Sequence, residues 1–430
     1  MVEPTHDPLG SDAAAARERA QVVVVGAGAA GIWAAARAAR LGAEVLLLEK
    51  TPRVGTKVLA SGGSRCNLTT TLAPTPARRL FGAQAGRFLR PAFGALSPAA
   101  LRERFDEIGL ATVEAPLEKV FPASQRARDV RDVLEREARA AGVSIRCGAR
   151  VTGVEPEGAL WRVLLAGEAP ILCERLLLCP GGASVPRSGT TGDGYPWLAA
   201  LGLELVEPRP ALVPLVSSAS WVRDLAGVSL QAVEARLVET GGGATIRRRR
   251  PVVFTHVGIS GPAALDLSRH VTVPDGAREL LLDLVPDTAH EVLRRRLIGA
   301  AAAPGARGVG RALDLPLARR LLDAACRQAG LSGAEAPVSD LPRAGRHGLV
   351  QALKGLVVPV EGALGLDRAE VTAGGLALGE VDPRTMEVRA HPGLQVFGEL
   401  LDLDGPIGGL NFQAAFATAE LAGLHAARPV

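Results

Sequence analysis

Hydrophobic and polar positions fall into blocks along the chain, and the first block is the most informative. Val22 to Val25, entered at Gln21, is a β-branched run with no polar interruption, as expected of a parallel strand buried on both faces. Gly26-Ala27-Gly28-Ala29-Ala30-Gly31 follows at once. Ile32 to Leu41 is Ala-rich, carries Arg37 and Arg40, and suits a helix closed by Gly42. Glu44 to Leu48 is a second apolar strand and ends in Glu49. Strand, glycine turn, helix, strand and acid in that order predict a Rossmann βαβ unit within an α/β fold.

Further along, Leu96 to Ile108 reads as a helix with Ser97 as N-cap and Pro98 in its first turn. Ser124 to Ala141 reads as a long amphipathic helix, again capped by its serine and ended by Gly142. Val143–Cys147, Ala149–Val154 and Trp161–Leu165 suggest a small antiparallel layer, and Arg175–Cys179 returns as an apolar strand running into Pro180-Gly181-Gly182. Gly192-Asp193-Gly194 opens a helix through Leu201. Pro208-Arg209-Pro210 and Pro214 mark a boundary, after which strands and turns run to about Val273 in a pattern consistent with a barrel. His290 to Leu341 predicts helices and Gly345 to Leu366 predicts strands. Leu394 to Phe397 predicts a last strand, and Ala414 to Ala427 a last helix.

The glycine turn has a physical job at each position. Gly26 permits the sharp exit from the strand, Gly28 lets a pyrophosphate approach the backbone, and Gly31 lets the helix pack on the sheet. Ala29 and Ala30 open the helix, whose free N–H groups and dipole would hold the phosphates. Glu49 would accept from the adenosine ribose, with Lys50 beside it. The fingerprint alone does not choose between FAD and NAD, but two further segments favour the longer ligand. One runs through Lys57, Ser61, Gly62, Gly63, Arg65, Cys66 and Asn67, small residues and donors directly after the ribose acid. The other is Gly398-Glu399 followed by Gly405 to Gln413, where Gly408, Gly409 and Asn411 open the last helix toward the electron-rich edge of a flavin. Arg150, Val151, Gly181 and Gly182, at two strand ends, complete the candidate cofactor contacts. Cys66 is the candidate proton donor and Arg65 the candidate anchor for an anionic substrate or reduced flavin.

Composition narrows the reading. Hydrophobic residues make up 47% and charged residues 22%, the balance of a globular chain, and the net charge of +4 is too small to imply nucleic acid by itself. Arg247 to Arg250 reads as a hairpin arm after the glycine triplet Gly241–Gly243, either a solvated edge strand or a polyanion contact. The five cysteines form no C-x-x-C pair, which fits a reducing cytoplasm. No zincin motif, close His pair or cluster with metal spacing occurs, so no metal is expected. His256 reads as a structural histidine. Val22 to Leu41 contains glycines and Arg37 and is not a membrane span. Met1 to Arg17 is polar, is no signal peptide, and reads as a disordered tail.

The chain resembles the HI0933-like flavoproteins. The resemblance rests on VVVVGAGAAGIWAA, LLLEKTPRVGTKVLASGGSRCNLT, TGDGYPWLAALG, PALVPL, FTHVGISGPAALDLS, VTAGGLALGEVDPRTME and FGELLDLDGPIGGLNFQAAFATAELAG, in order from Gln21 to Gly423. Ser64 stands where a third glycine is common, and Pro406-Ile407 replaces a more usual Tyr-Thr-like pair. The resemblance implies a Rossmann-type FAD domain from 18–206 and 370–430, an inserted β-barrel from 207–284 and 343–369, and a helical subdomain from 285–342. It implies a FAD-dependent oxidoreductase passing hydride through N5, with C=C reduction in the family extending to uracil of ribosomal RNA. The substrate is thus expected to be a small molecule or RNA. No second G-x-G-x-x-G follows a strand, so NADH or NADPH would act as a transient reductant, or a redox partner protein would supply electrons. A flavin-binding redox sensor, an amine-type oxidase and an NAD-binding dehydrogenase are the competing readings.

Overall fold

The fold is described from a computed structural model over residues 18–239, 245–273, 278–303 and 307–428. The expected tail and the glycine triplet Gly241–Gly243 lie outside these residues.

The protein is α/β, and its first core is a mainly parallel sheet. The opening strand Arg19–Val25 pairs in parallel with Val45–Glu49 on one side and with Ile171–Leu178 on the other. Val22 to Val25 are at most 4% exposed, as an unbroken apolar run requires. Ser144–Cys147 extends the sheet in parallel beyond Val45–Glu49. This corrects the expected antiparallel layer, which holds only for Val151–Glu157 and Leu160–Leu165, hairpinned and joined to the same sheet through Ile171–Leu178. The late strand Leu394–Val396 pairs in parallel with the end of Ile171–Leu178, so both chain ends build one sheet. The opening helix Ala29–Arg40 and the closing helix Leu410–Ala426 pack together on its face, with Trp33, Phe105 and Phe416 clustered between. Their close approach depends on Gly423, where a Cβ would fall 2.6 Å from the Ala34 carbonyl oxygen.

The helix Pro98–Glu107 begins as expected, with the Ser97 hydroxyl accepting from the Ala100 N–H. The next helix begins later than expected, at Ala127, with Arg126 rather than Ser124 at its N-cap.

An antiparallel pair, Leu205–Ala211 with Val371–Leu376, leads to the inserted region. That region has its own core and two antiparallel sheets. One sheet has five short strands, including Val252–Thr255 and Gly258–Ser260. The other orders Thr245–Arg249, Glu234–Glu239, Arg278–Asp283 and Leu356–Val358. Helices Pro262–Val271, His290–Ala302, Arg319–Gln328 and Arg343–Lys354 pack with them. The last of these replaces most of the strand pattern expected over Gly345–Leu366. Leu349, Val350 and Leu353 are buried in this second core, and that burial outweighs the low helix propensity of Gly345 and Gly348.

Candidate functional site

Parallel strands end together, and their carboxyl ends bring distant residues to one crevice. Gly26 follows the first strand, Glu49 ends the second, Cys179 and Pro180 follow Ile171–Leu178, and Gly398 follows Leu394–Val396. The crevice holds a cavity of about 480 Å3, a size suited to a small-molecule or cofactor site.

At the nucleotide end the work is done by backbone. Gly26 has φ 100°, and a Cβ there would lie 2.6 Å from the Cys179 carbonyl oxygen. At Gly31 a Cβ would lie 1.9 Å from the Gly26 carbonyl oxygen, so this glycine packs the helix and does not itself line the cavity. At Gly28 a Cβ would meet nothing within 4 Å, and Gly28, Ala29 and Ala30 all face the cavity. No side chain caps the opening helix, which leaves its first N–H groups for a ligand. Glu49 accepts from the Ala27 N–H (2.9 Å) and the Thr51 N–H (2.8 Å), which fixes its carboxylate at the mouth of the turn with lone pairs to spare. Lys50 is paired with Asp193 and donates to Thr191. Val151 and Gly181 also line the cavity, whereas Arg150 is exposed outside it and Gly182 packs against Thr372 and Tyr195.

Toward the other end, the segment after Glu49 folds into a loop with Gly62, Gly63, Ser64 and Cys66 all at positive φ. Ser61, Gly62, Gly63, Arg65 and Asn67 line the cavity. Cys66 does not. It is 0% exposed, beneath the loop, and burial pushes its thiol up to about 12, so the expected proton donor faces the core. Lys57 is paired with Glu399 and donates to the Ser184 hydroxyl. Glu399 also accepts from Ser184 (3.0 Å) and from the Thr372 N–H (2.9 Å), so it ties the last strand to the loop while lining the cavity beside Gly398. Asn411 closes its own loop through both the N–H and the carbonyl of Gly405. Gly408, Gly409 and Asn411 line the cavity. Gly409, at φ 79°, would place a Cβ 2.0 Å from the Thr69 carbonyl oxygen. The closing helix starts at Leu410, four residues before its expected start, so its uncapped N-terminus lies on the cavity.

Sequence reasoning missed several residues at this end. Lys119, Phe121 and Glu370 line the cavity, with the Arg65 guanidinium 4.7 Å from the Phe121 ring centre. Asp266, 1% exposed on helix Pro262–Val271, accepts from the Ile407 N–H (2.7 Å), and Arg250 donates to the Ile407 carbonyl (2.8 Å). Arg250 also bonds Glu118 (3.1 Å) and lies 3.7 Å from Asp266. Arg269 holds the Asp404 carbonyl (2.8 Å) and its carboxylate (3.0 Å). The inserted region thus grips the 404–407 loop at several points. The legible signal was a lone acid within the apolar helix PAALDLSRHV. The Arg247–Arg250 arm is an edge strand through Arg249: Arg247 and Arg249 face outward and pair with Glu234 and Asp287, whereas Arg248 and Arg250 turn toward Asp266.

Among the described residues no helix is long and apolar enough to cross a membrane, and no three metal-ligating side chains cluster.

The family described as the HI0933-like protein Rossmann domain matches residues 20–425. The chain is 31% identical over 416 residues to the 3-dehydro-bile acid delta(4,6)-reductase of Clostridium scindens, covering 95% of this chain and 99% of that one. It is 29% identical over 402 residues to the ribosomal RNA dihydrouridine synthase of Escherichia coli K12, covering 94% and 96%. The solved 3-ketosteroid delta1-dehydrogenase of Sterolibacterium denitrificans shares the fold, with a TM-score of 0.51 at 14% identity over 95% of this chain and 99% of that one. The chain belongs to the HI0933-like family.

Proposed function

We propose that this HI0933-like protein binds FAD along the cavity and is an oxidoreductase that reduces a C=C bond conjugated to a carbonyl. The observation that carries the reading is the continuity of one cavity. It runs from Gly28 and Glu49, which suit a pyrophosphate and a ribose, to a wall bearing Arg65, Lys119 and Glu370. The open space at Gly28 and the two uncapped helix N-termini fit an elongated dianion with an electron-rich ring at its far end. When bound, FAD supplies hydride transfer through N5. Around it, Glu49 would orient the ribose, the opening helix would hold the pyrophosphate, and the Gly408–Gly409 turn would offer helix N–H groups to the ring. NADH or NADPH fits as a transient reductant, since no second strand-linked glycine fingerprint provides a dedicated domain. The two named relatives act on a bile acid and on ribosomal RNA, so a small molecule and an RNA uracil are both candidate substrates. A cytoplasmic location fits five free cysteines, four of them buried.

The test is anaerobic. Protein reconstituted with FAD is mixed with NADH or NADPH, then with an enone or with unmodified ribosomal RNA. Flavin bleaching followed by substrate-dependent return of colour is the expected result. Bound FAD that neither nicotinamide nor dithionite can prepare for substrate turnover would point to a sensor instead.

A further inference from the structure

Charged side chains around the cavity divide into two groups. Most are paired: Lys50 with Asp193, Lys57 with Glu399, Arg250 with Glu118, Arg269 with Asp404. Glu370 and Lys119 differ. Both line the cavity, and among the described residues neither side chain has a hydrogen bond or ion pair. Arg65 beside them stands over the Phe121 ring, 4.7 Å from its centre.

The backbone fixes where these groups sit. Glu370 immediately precedes the strand Val371–Leu376. Its N–H donates to the Leu212 carbonyl (3.2 Å), and its carbonyl accepts from the Ser184 hydroxyl (3.3 Å). Lys119 starts the strand Lys119–Pro122, paired with Thr70 and Ala115. Side chains alternate along a strand, so Lys119 and Phe121 share the cavity face while Val120, 0% exposed, points into the core. Glu370 is exposed and Lys119 half-buried, so both present side chains without a protein partner, among the described residues, to whatever fills the cavity.

We propose that Glu370 and Lys119 are the substrate-facing catalytic pair, with Lys119 holding the substrate carbonyl oxygen and Glu370 delivering the proton. This rests on the reductase reading above. When bound, reduced FAD would supply the two electrons and the hydride that the carbon β to the carbonyl needs. Negative charge shifts to the carbonyl oxygen beside the Lys119 ammonium, and the Glu370 carboxylic acid transfers its proton to the α carbon. Two electrons and two hydrogens are thereby added across the double bond. Glu370 is left as a carboxylate and takes a new proton from water through the cavity. The electrostatics agree. Glu370 lines the cavity yet stays exposed, and partial loss of hydration there raises its carboxyl above the usual range, with Lys119 and Lys57 opposing the rise and Asp266 adding to it. Lys119 is lowered by burial and by the neighbouring Arg250 and Arg65, against Glu370 and Asp266. Such an acid is protonated at low pH and loses its proton as pH rises through its raised value.

The test uses FAD-loaded protein reduced anaerobically with dithionite, then mixed with cyclohexenone across a pH series. Para-nitrophenolate serves as a second probe, its binding read from the visible spectrum. Wild type should reoxidise with formation of cyclohexanone and a rate that declines on the alkaline side. E370Q should retain FAD, reoxidise at least about 100-fold more slowly, and keep only the part of the alkaline decline that loss of the Lys119 proton causes. It should also bind the phenolate roughly tenfold more tightly, and K119M roughly tenfold more weakly. Wild-type reoxidation rates in E370Q overturn the proposal, and so do phenolate affinities unchanged in both variants. If wild type holds FAD but leaves cyclohexenone untouched, the reductase reading fails on this probe. The phenolate titration then still decides whether the pair faces the ligand.

Discussion

The two ends of the cavity are built on different principles. The nucleotide end comes mainly from one contiguous stretch, Val22 to Glu49, with Val151 and Gly181 added from neighbouring strand ends, and presents mostly backbone: glycines without side chains, uncapped N–H groups and a carboxylate already anchored by Ala27 and Thr51. The far end is assembled from segments near residues 65, 119, 266, 370 and 407, and it presents side-chain charge. The first is specified by local geometry. In the second, the inserted region also docks Asp266 and Arg250 on the Ile407 peptide. Recognition of a cofactor shared by many proteins can be written in a short motif, whereas recognition of a particular substrate is written in topology.

Substitutions can break or sharpen this contrast. The largest effect is expected at the nucleotide end from Gly31→Val. Its Cβ would collide with the Gly26 carbonyl oxygen and the Cys179 sulfur, costing roughly 3 kcal/mol or more by overpacking; thermal unfolding would show a large drop together with loss of flavin. Gly28→Val separates binding from folding. Its side chain enters open space, so stability should change by less than about 1 kcal/mol while the flavin-to-protein ratio collapses. At the far end, Asp266→Ala strips the Ile407 N–H and Arg250 of a buried acceptor, at about 1–3 kcal/mol. Chemical denaturation should register that loss. The flavin midpoint potential should also fall as the 404–407 loop loosens, and Asp266→Asn, which keeps an acceptor, should restore part of it. The smallest effect is pH-dependent. Burial and then Arg269, Arg248, Arg278 and Arg209 hold His270 neutral, down to about 4 from an ordinary 6.5. The folded value is depressed, so its contribution is complete above 6.5 and lost as pH falls toward 4. His270→Gln should unfold at lower pH than wild type in an acid titration.

Legibility followed the same divide. Strand, turn, helix and acid from Val22 to Glu49 were readable because each is set by its own residues, as was the Ser97 cap. The Gly345–Leu366 segment was misread because five glycines and four valines mimic strand and turn, and burial against neighbouring helices makes Arg343–Lys354 helical. Cys66 was misread because adjacency in sequence is not adjacency in space: Arg65 and Asn67 reach the cavity, and the residue between them turns to the core. Lys119 and Glu370 carry no local signature. Nothing in their flanking residues announces that two segments about 250 residues apart share one wall.

The most direct measurement is the flavin content of the protein purified without added cofactor, with the released chromophore identified after denaturation. The account predicts FAD at close to one per chain in wild type, and a folded, colourless Gly28→Val protein that does not take up FAD on reconstitution. Wild-type protein that is folded yet binds no FAD even after reconstitution would contradict it.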